Sequence, residues 1–275
     1  MEKGYGKRGS GTFGNTRTEE TGWIFERKIG IRDEMNRDSV SREDRFCAGK
    51  TPAFRRESSF QTFPGALRLW VEMCLIFAGL PSLLFLVRRH IRGFIIPMIV
   101  VAALLCLLYL LRQPDFPRLR LWNSRDFRHH ILRTLRVLLP LGALAALLSY
   151  WHDPDRFLTF PVQAPLFWVL VMLLYPVLSA YPQELIYRVF FVQRYGRLFR
   201  SERGLMLASA LAFGWAHAFL GNWIAPVFAA LGGLLFARTY LRSGSLLQTA
   251  LEHGLWGDLL FTLGVGWYFY AGSIG

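Results

Sequence analysis

The sequence predicts an all-α, polytopic transmembrane helix bundle of about seven to eight spans, and three observations lead to that fold class. Hydrophobic residues make up 53% of the 275 residues and charged residues only 19%, whereas soluble domains carry about 25% charge. Long stretches after residue 64 contain no charge, and a spanning helix needs about 20 mostly apolar residues. The basic residues lie between these stretches, as the positive-inside rule expects for cytoplasmic loops.

Seven apolar segments follow one another along the chain, and each predicts a membrane helix. They lie at residues 66–87, 93–111, 137–151, 163–183, 204–220, 223–237 and 246–270. Glu252, His253 and Asp258 interrupt the last segment, which forms two spans if its helix breaks near Gly254 or Gly264. The predicted total is therefore seven to eight spans.

Residues 1–64 form the first of two predicted domains, a disordered, basic cytoplasmic tail. They are polar, rich in Gly, Ser, Arg and Glu, and lack a sustained apolar period, which is typical of disorder. No apolar stretch follows Met1, so no signal peptide is predicted at this start. Residues 65–275 form the second domain, the transmembrane bundle.

The Arg-rich loops predict the orientation of the bundle. Cytoplasmic loops are predicted at residues 112–136, 188–203 and 238–242, and outer loops at Asp153 and Asn222. This alternation places the N-terminal tail in the cytoplasm and the chain in the cell membrane. The basic cluster at residues 88–92 departs from it, so the first two segments could instead form a hairpin that does not fully cross.

The net charge of +13 has a topological explanation. Lys and Arg lie in the tail and loops, where they stay on the cytoplasmic side and meet anionic lipid. The expected partners therefore include the lipid bilayer and no nucleic acid. The cysteines, Cys47, Cys74 and Cys106, form no CxxC pair, so neither a disulfide framework nor a thiolate metal site is predicted.

Ionisable residues inside apolar segments are the functional candidates, because each costs about 2.5–3.5 kcal/mol to insert into a membrane. The first group, at residues 183–188, follows a segment without any charge. Glu184 and Arg188 are four residues apart, so on a helix they share a face and can pair. The pairing favours an ionised carboxylate. A simple ion pair at a helix end is the alternative interpretation.

Two further groups lie on later segments. His217 shares a helix face with Phe213, and Glu252, His253 and Asp258 interrupt the last segment. A single intramembrane His is also typical of a hydrogen-bonded packing residue. The last group is also typical of a re-entrant or broken helix that meets water.

Glu184, His217 and His253 lie on three predicted helices and can converge in the core of a bundle. A carboxylate beside an imidazole can hold and deprotonate a water molecule, and a second His can donate to the oxyanion that forms on a scissile carbonyl. No Ser or Cys has a GxSxG setting, so hydrolysis by activated water is predicted. Alternatively, the same three side chains could ligate a catalytic zinc with an open fourth position.

The order of these motifs resembles the CPBP family of intramembrane proteases, which includes the type II CAAX prenyl endopeptidases and the Abi proteins. The family pattern is EExxxR, then FxxxH, then a His followed four residues later by Asn or Asp. Here QELIYR, FGWAH and HGLWGD stand in that order. The resemblance implies a CPBP-like core at residues 163–271.

The resemblance also implies a role for each site residue. Glu184 and His217 would activate water, His253 would stabilise the oxyanion, and Arg188 would hold Glu184. The family is of the glutamate type, so no cofactor is expected, and zinc is the alternative. The side chains expected to line the site are Tyr187 and Trp256.

Two positions depart from the family pattern. Gln183 stands where the family has its first Glu, so Glu184 would act without a partner carboxylate. Gly257 stands four residues after His253, and Asp258 follows it. Either a protonated Asp258 or a backbone N–H would then bind the oxyanion, because an ionised Asp has no proton to donate.

The predicted function is that of an intramembrane endopeptidase that cuts near the C-terminus or membrane anchor of a protein substrate within the membrane. Prenylated CAAX tails, bacteriocin leaders and C-terminal sorting signals all fit this prediction. The alternative is a non-catalytic membrane scaffold or immunity-type relative, which Gln183 and Gly257 favour. A transporter with a Glu/His proton relay would show internal repeats, and no repeat is found.

Overall fold

The computed structural model describes residues 63–270, and the side chains from residue 65 onward. The predicted tail therefore lies outside the described residues, except at its last two positions. The helices of the described part are α1 (Gly65–Leu86), α2 (Arg88–Leu111), α3 (Phe127–His152), α4 (Thr159–Gln163), α5 (Pro165–Leu198), α6 (Glu202–His217), α7 (Ile224–Ser243) and α8 (Leu246–Thr262).

The all-α fold class is confirmed, since residues 63–270 contain helices and no strand. Five of these helices, α1, α2, α3, α5 and α7, are long and apolar enough to cross a membrane. Helices α6 and α8 have 16 and 17 residues and are shorter than the about 20 residues of a typical span. The count of seven to eight spans stays a prediction.

Many large apolar side chains point away from the protein, as expected in lipid. Leu166 and Leu173 on α5 are 86% and 67% exposed. A helix can present such a surface to hydrocarbon because its backbone groups are hydrogen-bonded internally. The outer surface therefore fits a multi-pass membrane protein.

Hydrogen bonds between loops divide the bundle into two ends. At one end, Asn123 Nδ2 donates to the carbonyl oxygen of Ser243 at 3.2 Å. At the other end, Asn222 Nδ2 donates to the carbonyl oxygen of Tyr268 at 2.9 Å. The segments around Asn123 and Ser243 thus share one end, as the predicted alternation requires, and the end that faces the cytoplasm stays a prediction.

Helices α1 and α2 both run between these two ends. The Arg88 side chain, at the turn between them, lies against Gly221 in the loop before α7. Toward the opposite end, Arg194 of α5 donates to Glu72 of α1 and to Tyr109 of α2. Together with their apolar lengths, these contacts favour full crossing over a short hairpin.

The core that holds α5 in place is aromatic and aliphatic. Its most deeply buried side chains include Leu110 on α2, Phe191 and Tyr195 on α5, and Leu205 on α6, which are at most 1% exposed. Burial of each such side chain contributes about 1.5–3 kcal/mol. In a bilayer this figure applies only to surface that leaves water, so close packing contributes much of the association.

Small residues let α6 and α7 approach closely. A Cβ atom added at Gly214 of α6 would lie 2.7 Å from the Cβ of Ala230, and one at Gly233 of α7 would lie 3.1 Å from the Cα of Ala210. Such contacts are typical of membrane helices, where small residues bring backbones together. They fix the position of α6, and therefore of its last residue, His217.

Helix α5 is irregular where it carries the predicted site. A π-helical turn at Pro176–Ala180 precedes the α-helical turn Tyr181–Glu184, and a second π-helical turn follows at Leu185–Phe190. Proline lacks the N–H that an α-helix needs, and Pro176 and Pro182 lie in this region. π-Helical turns inside α-helices often occur at functional sites.

Candidate active site

Glu184 lies fully buried on α5, between a basic partner and an imidazole. Arg188, one turn later, places its Nε 3.0 Å from Glu184 Oε2. His253 of α8 places its Nδ1 3.0 Å from Glu184 Oε1. Both side chains of the Glu184–Arg188 pair are 0% exposed. A buried carboxylate of this kind persists only because it is paired.

The Glu184–Arg188 contact is an ion pair without a well-formed hydrogen bond. The two atoms are 3.0 Å apart, but the geometry does not align the donor with the acceptor. Glu184 Oε2 and Arg188 Nη2 consequently have no hydrogen-bond partner among the described residues. Buried atoms without a well-formed hydrogen bond are costly.

Arg188 is held by groups other than Glu184. Its Nη1 donates to Ser209 Oγ of α6 at 2.6 Å, and its Cζ lies 4.9 Å from the ring centre of Phe213. Ser209 Oγ in turn donates to the carbonyl oxygen of Tyr187 at 2.7 Å. The guanidinium is therefore fixed by α6, as expected of a residue that positions a carboxylate.

His253 is hydrogen-bonded on both ring nitrogens. Its Nδ1 contacts Glu184, and its Nε2 lies 3.0 Å from the hydroxyl oxygen of Tyr175 on α5. Its ring stacks on Phe236 of α7 at 4.6 Å between centres, and Phe213 meets it edge-on at 5.5 Å. Both the orientation and the hydrogen-bonding state of this imidazole are therefore fixed.

His217 is the last residue of α6, and its hydrogen bond is made within that helix. Its Nδ1 donates to the carbonyl oxygen of Phe213 at 2.8 Å, because that oxygen can only accept. Its Nε2 is then the acceptor of the neutral ring and has no partner among residues 63–270. No direct hydrogen bond joins His217 to Glu184, and the Phe213 ring, 4.7 Å away, lies between His217 and His253.

Two glycines of α8 allow His253 to reach α5. A Cβ at Gly254 would lie 3.0 Å from the Cβ of Pro176, and a Cβ at Gly257 would lie 2.5 Å from the Tyr175 hydroxyl oxygen. Larger residues would push α8 away from the first π-helical turn of α5. The HGLWG sequence therefore sets the helix separation that brings His253 to Glu184.

The other predicted site residues lie around this centre. Tyr187 and Trp256 pack against the buried cluster that contains Phe213 and Phe236. Among the described residues, the Asp258 side chain forms no hydrogen bond with the predicted catalytic groups, and its buried Oδ1 has no partner. The structure thus brings Tyr187 and Trp256 to the site and leaves Asp258 apart from Glu184.

The side chains of Gln183 and Glu184 contact different neighbours. Its Nε2 donates to Ser179 Oγ at 2.7 Å, within α5. An amide at this position is therefore satisfied locally. It adds no carboxylate to the pair of Glu184 and His253.

Three residues of the site were missed by sequence reasoning: Ser209 on α6, Phe236 on α7 and Tyr175 on α5. Ser209 lies four residues before Phe213, so helical spacing could have found it. Tyr175 lies nine residues before Glu184, about 2.5 turns of a regular α-helix, and regular spacing places the two on opposite faces. The intervening π-helical turn changes that relation.

The three side chains that the sequence offered as zinc ligands have other hydrogen-bond partners in the described part of the chain. Among residues 63–270, no group of three or more His, Cys, Asp and Glu side chains could hold a metal ion. Both nitrogens of His253 are already hydrogen-bonded, and His217 contacts only a backbone carbonyl through its Nδ1. Whether the site is metal-free or holds zinc stays a prediction.

One comparison with known proteins gives a match. The model of the family described as "Type II CAAX prenyl endopeptidase Rce1-like" matches residues 164–257, the range that holds QELIYR, FGWAH and HGLWG. No curated protein and no solved structure matches the chain. The match confirms the resemblance to the CPBP family over residues 164–257, which are less than half of the chain.

Proposed function

We propose that the protein is an intramembrane endopeptidase that uses Glu184 to activate a water molecule. The observation that carries this proposal is the state of the Glu184 carboxylate. It is 0% exposed and held from two sides, yet its Oε2 accepts no hydrogen bond from the described residues. A carboxylate that a cation and an imidazole hold in one orientation, with no well-formed hydrogen bond at one of its oxygens, is suited to act as a general base.

The proposed reaction uses two proton acceptors, the Glu184 carboxylate and His217 Nε2. The water oxygen attacks the carbonyl carbon of the scissile peptide bond while its proton passes to Glu184, with His217 Nε2 as the second acceptor. A tetrahedral oxyanion forms, the carbon–nitrogen bond breaks, and the proton goes to the leaving amine. The products are a new carboxyl terminus and a released peptide.

His253 contributes mainly to orientation in this proposal. The sequence assigned it the role of oxyanion donor, but both of its nitrogens are engaged. Donation to an oxyanion would require one of these two bonds to exchange. Its bond to Glu184 resembles the carboxylate–imidazole contact that orients the base in hydrolytic triads.

The substrate class follows from the family match and from the location of the site. The matched family is named for prenylated CAAX tails, and Glu184 lies inside a helix that can span a membrane. A peptide bond close to a lipid anchor or to the C-terminus would reach such a site. We therefore place prenylated C-terminal peptides first among the probes.

A non-catalytic relative remains the second candidate function, and Gln183 is the observation that favours it. The amide is bonded to Ser179, where the family pattern has an additional carboxylate. A scaffold or immunity-type protein would need the packing of Glu184, Arg188 and His253 but no chemistry at Oε2. The two functions differ in whether Glu184 Oε2 takes part in a reaction.

The decisive experiment uses purified protein in proteoliposomes with a peptide that ends in a farnesylated CAAX sequence. Wild type is expected to release the C-terminal residues, detected by mass spectrometry. Glu184→Gln keeps the shape but removes the base, so the cleavage rate should fall at least about 100-fold. Glu72→Gln is the matched control, and its rate should stay within about threefold of wild type because that pair is distant from the site.

The result also tests the alternative. C-terminal proteomics of cells with and without the protein extends the search beyond the farnesylated probe. Cleavage that is equal in wild type and Glu184→Gln would overturn the proposal. An absence of cleavage products in both assays would favour the non-catalytic relative.

A further inference from the structure

Position 257 lacks a side chain, and another residue fills its place. A Cβ atom built on Gly257 would lie 2.5 Å from the hydroxyl oxygen of Tyr175. The ring of Tyr175 therefore occupies the volume that a side chain at position 257 would need. Because positions 253 and 257 are one helical turn apart, a polar side chain at 257 would face His253.

The hydroxyl of Tyr175 makes the contact that such a side chain would make. It lies 3.0 Å from His253 Nε2. The distance of 2.5 Å between its oxygen and the built Cβ is about the distance between Cβ and the amide nitrogen within an Asn side chain. A hydrogen-bond donor to His253 therefore lies as close to the Gly257 backbone as such an amide would, although it arrives from α5 instead of α8.

The direction of the two hydrogen bonds follows from the donors present. Glu184 is ionised beside Arg188 and can only accept, so His253 Nδ1 carries the proton of that bond. In a neutral imidazole the other nitrogen is then an acceptor, and the Tyr175 O–H donates to it. Glu184, His253 and Tyr175 thus form one hydrogen-bonded chain across α5 and α8.

We propose that Tyr175 is a positioning residue that replaces the missing side chain at position 257 and fixes the ring of His253, and through it the carboxylate of Glu184. This inference rests on the proposed function for its catalytic consequence. The hydrogen bond itself can be tested without any activity. Tyr175 acts through His253 and does not touch the reacting atoms.

The first test measures the hydrogen bond by nitrogen NMR of ¹⁵N-histidine-labelled protein in lipid bilayers. The chain has six histidines, and the signals of His253 are assigned by their loss in His253→Gln. Tyr175→Phe should move the Nε2 signal of His253 and leave its Nδ1 signal in place, because only one partner is lost. An unchanged Nε2 signal would overturn the inference, whether or not the protein cleaves a substrate.

The second test exchanges the two positions. Tyr175→Phe should lower kcat about tenfold with little change in KM, since one hydrogen bond to a positioned group is lost. Gly257→Asn alone should be impaired, because its side chain meets the Tyr175 ring. The double variant Tyr175→Ala with Gly257→Asn should recover activity, because the amide reaches the position of the lost hydroxyl.

A matched double variant separates hydrogen bonding from packing. Tyr175→Ala with Gly257→Leu fills the same volume as the Asn variant but offers no donor, so it should not recover kcat. Equal recovery by Leu and Asn would overturn the inference and show that only packing matters. If Glu184→Gln keeps full activity, the proposed function fails, while the NMR result still decides the Tyr175 bond.

Discussion

Two carboxylate–arginine pairs lie on α5, and they differ in how completely they are satisfied. Glu72 of α1 binds Arg194 of α5 through two bonds of 2.9 and 2.7 Å, and Tyr195 donates to it at 3.0 Å. Glu184 faces Arg188 through a single 3.0 Å contact that is not a well-formed hydrogen bond. The first pair is about a quarter exposed, and the second is fully buried.

The difference separates a structural ion pair from a candidate active site. The forked contact of Arg194 with Glu72 uses both carboxylate oxygens, which is the strong geometry for this pair of groups. It connects α1 to α5 and leaves no acceptor free. The deeper pair would gain most from full hydrogen bonding, yet its contact at Glu184 Oε2 is not a well-formed hydrogen bond. This difference is the reason that Glu184, and not Glu72, is proposed as the general base.

The largest expected effect comes from breaking each pair in the same way. Arg188→Met should lower the free energy of unfolding by about 3–5 kcal/mol, because it leaves a buried carboxylate without its cation. Arg194→Met should cost only about 1 kcal/mol, because Glu72 keeps contact with solvent. Unfolding in mixed detergent micelles, followed by circular dichroism, measures both. Equal losses would show that burial does not distinguish the two pairs.

The second comparison concerns two histidines with different partners. His217→Gln should lower the cleavage rate about 100-fold, because the open Nε2 of His217 accepts a proton in the proposed reaction. His130 is the control, because its Nε2 lies 3.0 Å from the carbonyl oxygen of Gln248 at one end of the bundle. His130→Gln should cleave within about threefold of wild type. A rate for His217→Gln close to that of the control would remove His217 from the mechanism.

The smallest expected effect concerns the position that departs from the family pattern. Gln183→Leu should change the cleavage rate less than about threefold, because its amide contacts Ser179 and not Glu184. The rate is measured with the same farnesylated peptide. A loss as large as that of Glu184→Gln would show that Gln183 takes part in the reaction.

Helix positions were largely readable from the apolar segments. The predicted segment at residues 93–111 ends where α2 ends, at Leu111. The segment at 163–183 is too short, since α5 continues to Leu198. Its last part carries Arg188, Arg194 and Arg197. Charged residues end an apolar segment of the sequence, but they do not end a helix. Propensity alone would continue the helix, because Arg is a good helix former.

The candidate site was readable only in part. The Glu184–Arg188 contact follows from a spacing of four residues on one helix. The Glu184–His253 contact joins residues 69 positions apart, and the sequence offered it only as one way for three helices to converge. Tyr175 could not be found, because the π-helical turn at Pro176–Ala180 shifts the face on which it lies.

The sequence by itself determined the fold class, the apolar segments, the family resemblance of residues 164–257 and the ionisable residues that lie within apolar segments. These are properties of local composition and short spacing. Only the tertiary structure decided which carboxylate is satisfied, that His253 and not His217 contacts Glu184, and that the Tyr175 hydroxyl lies against both His253 and Gly257. Those outcomes depend on how closely the helices pack and on which face of the irregular helix α5 each residue lies. Residue spacing in the sequence does not determine either of them.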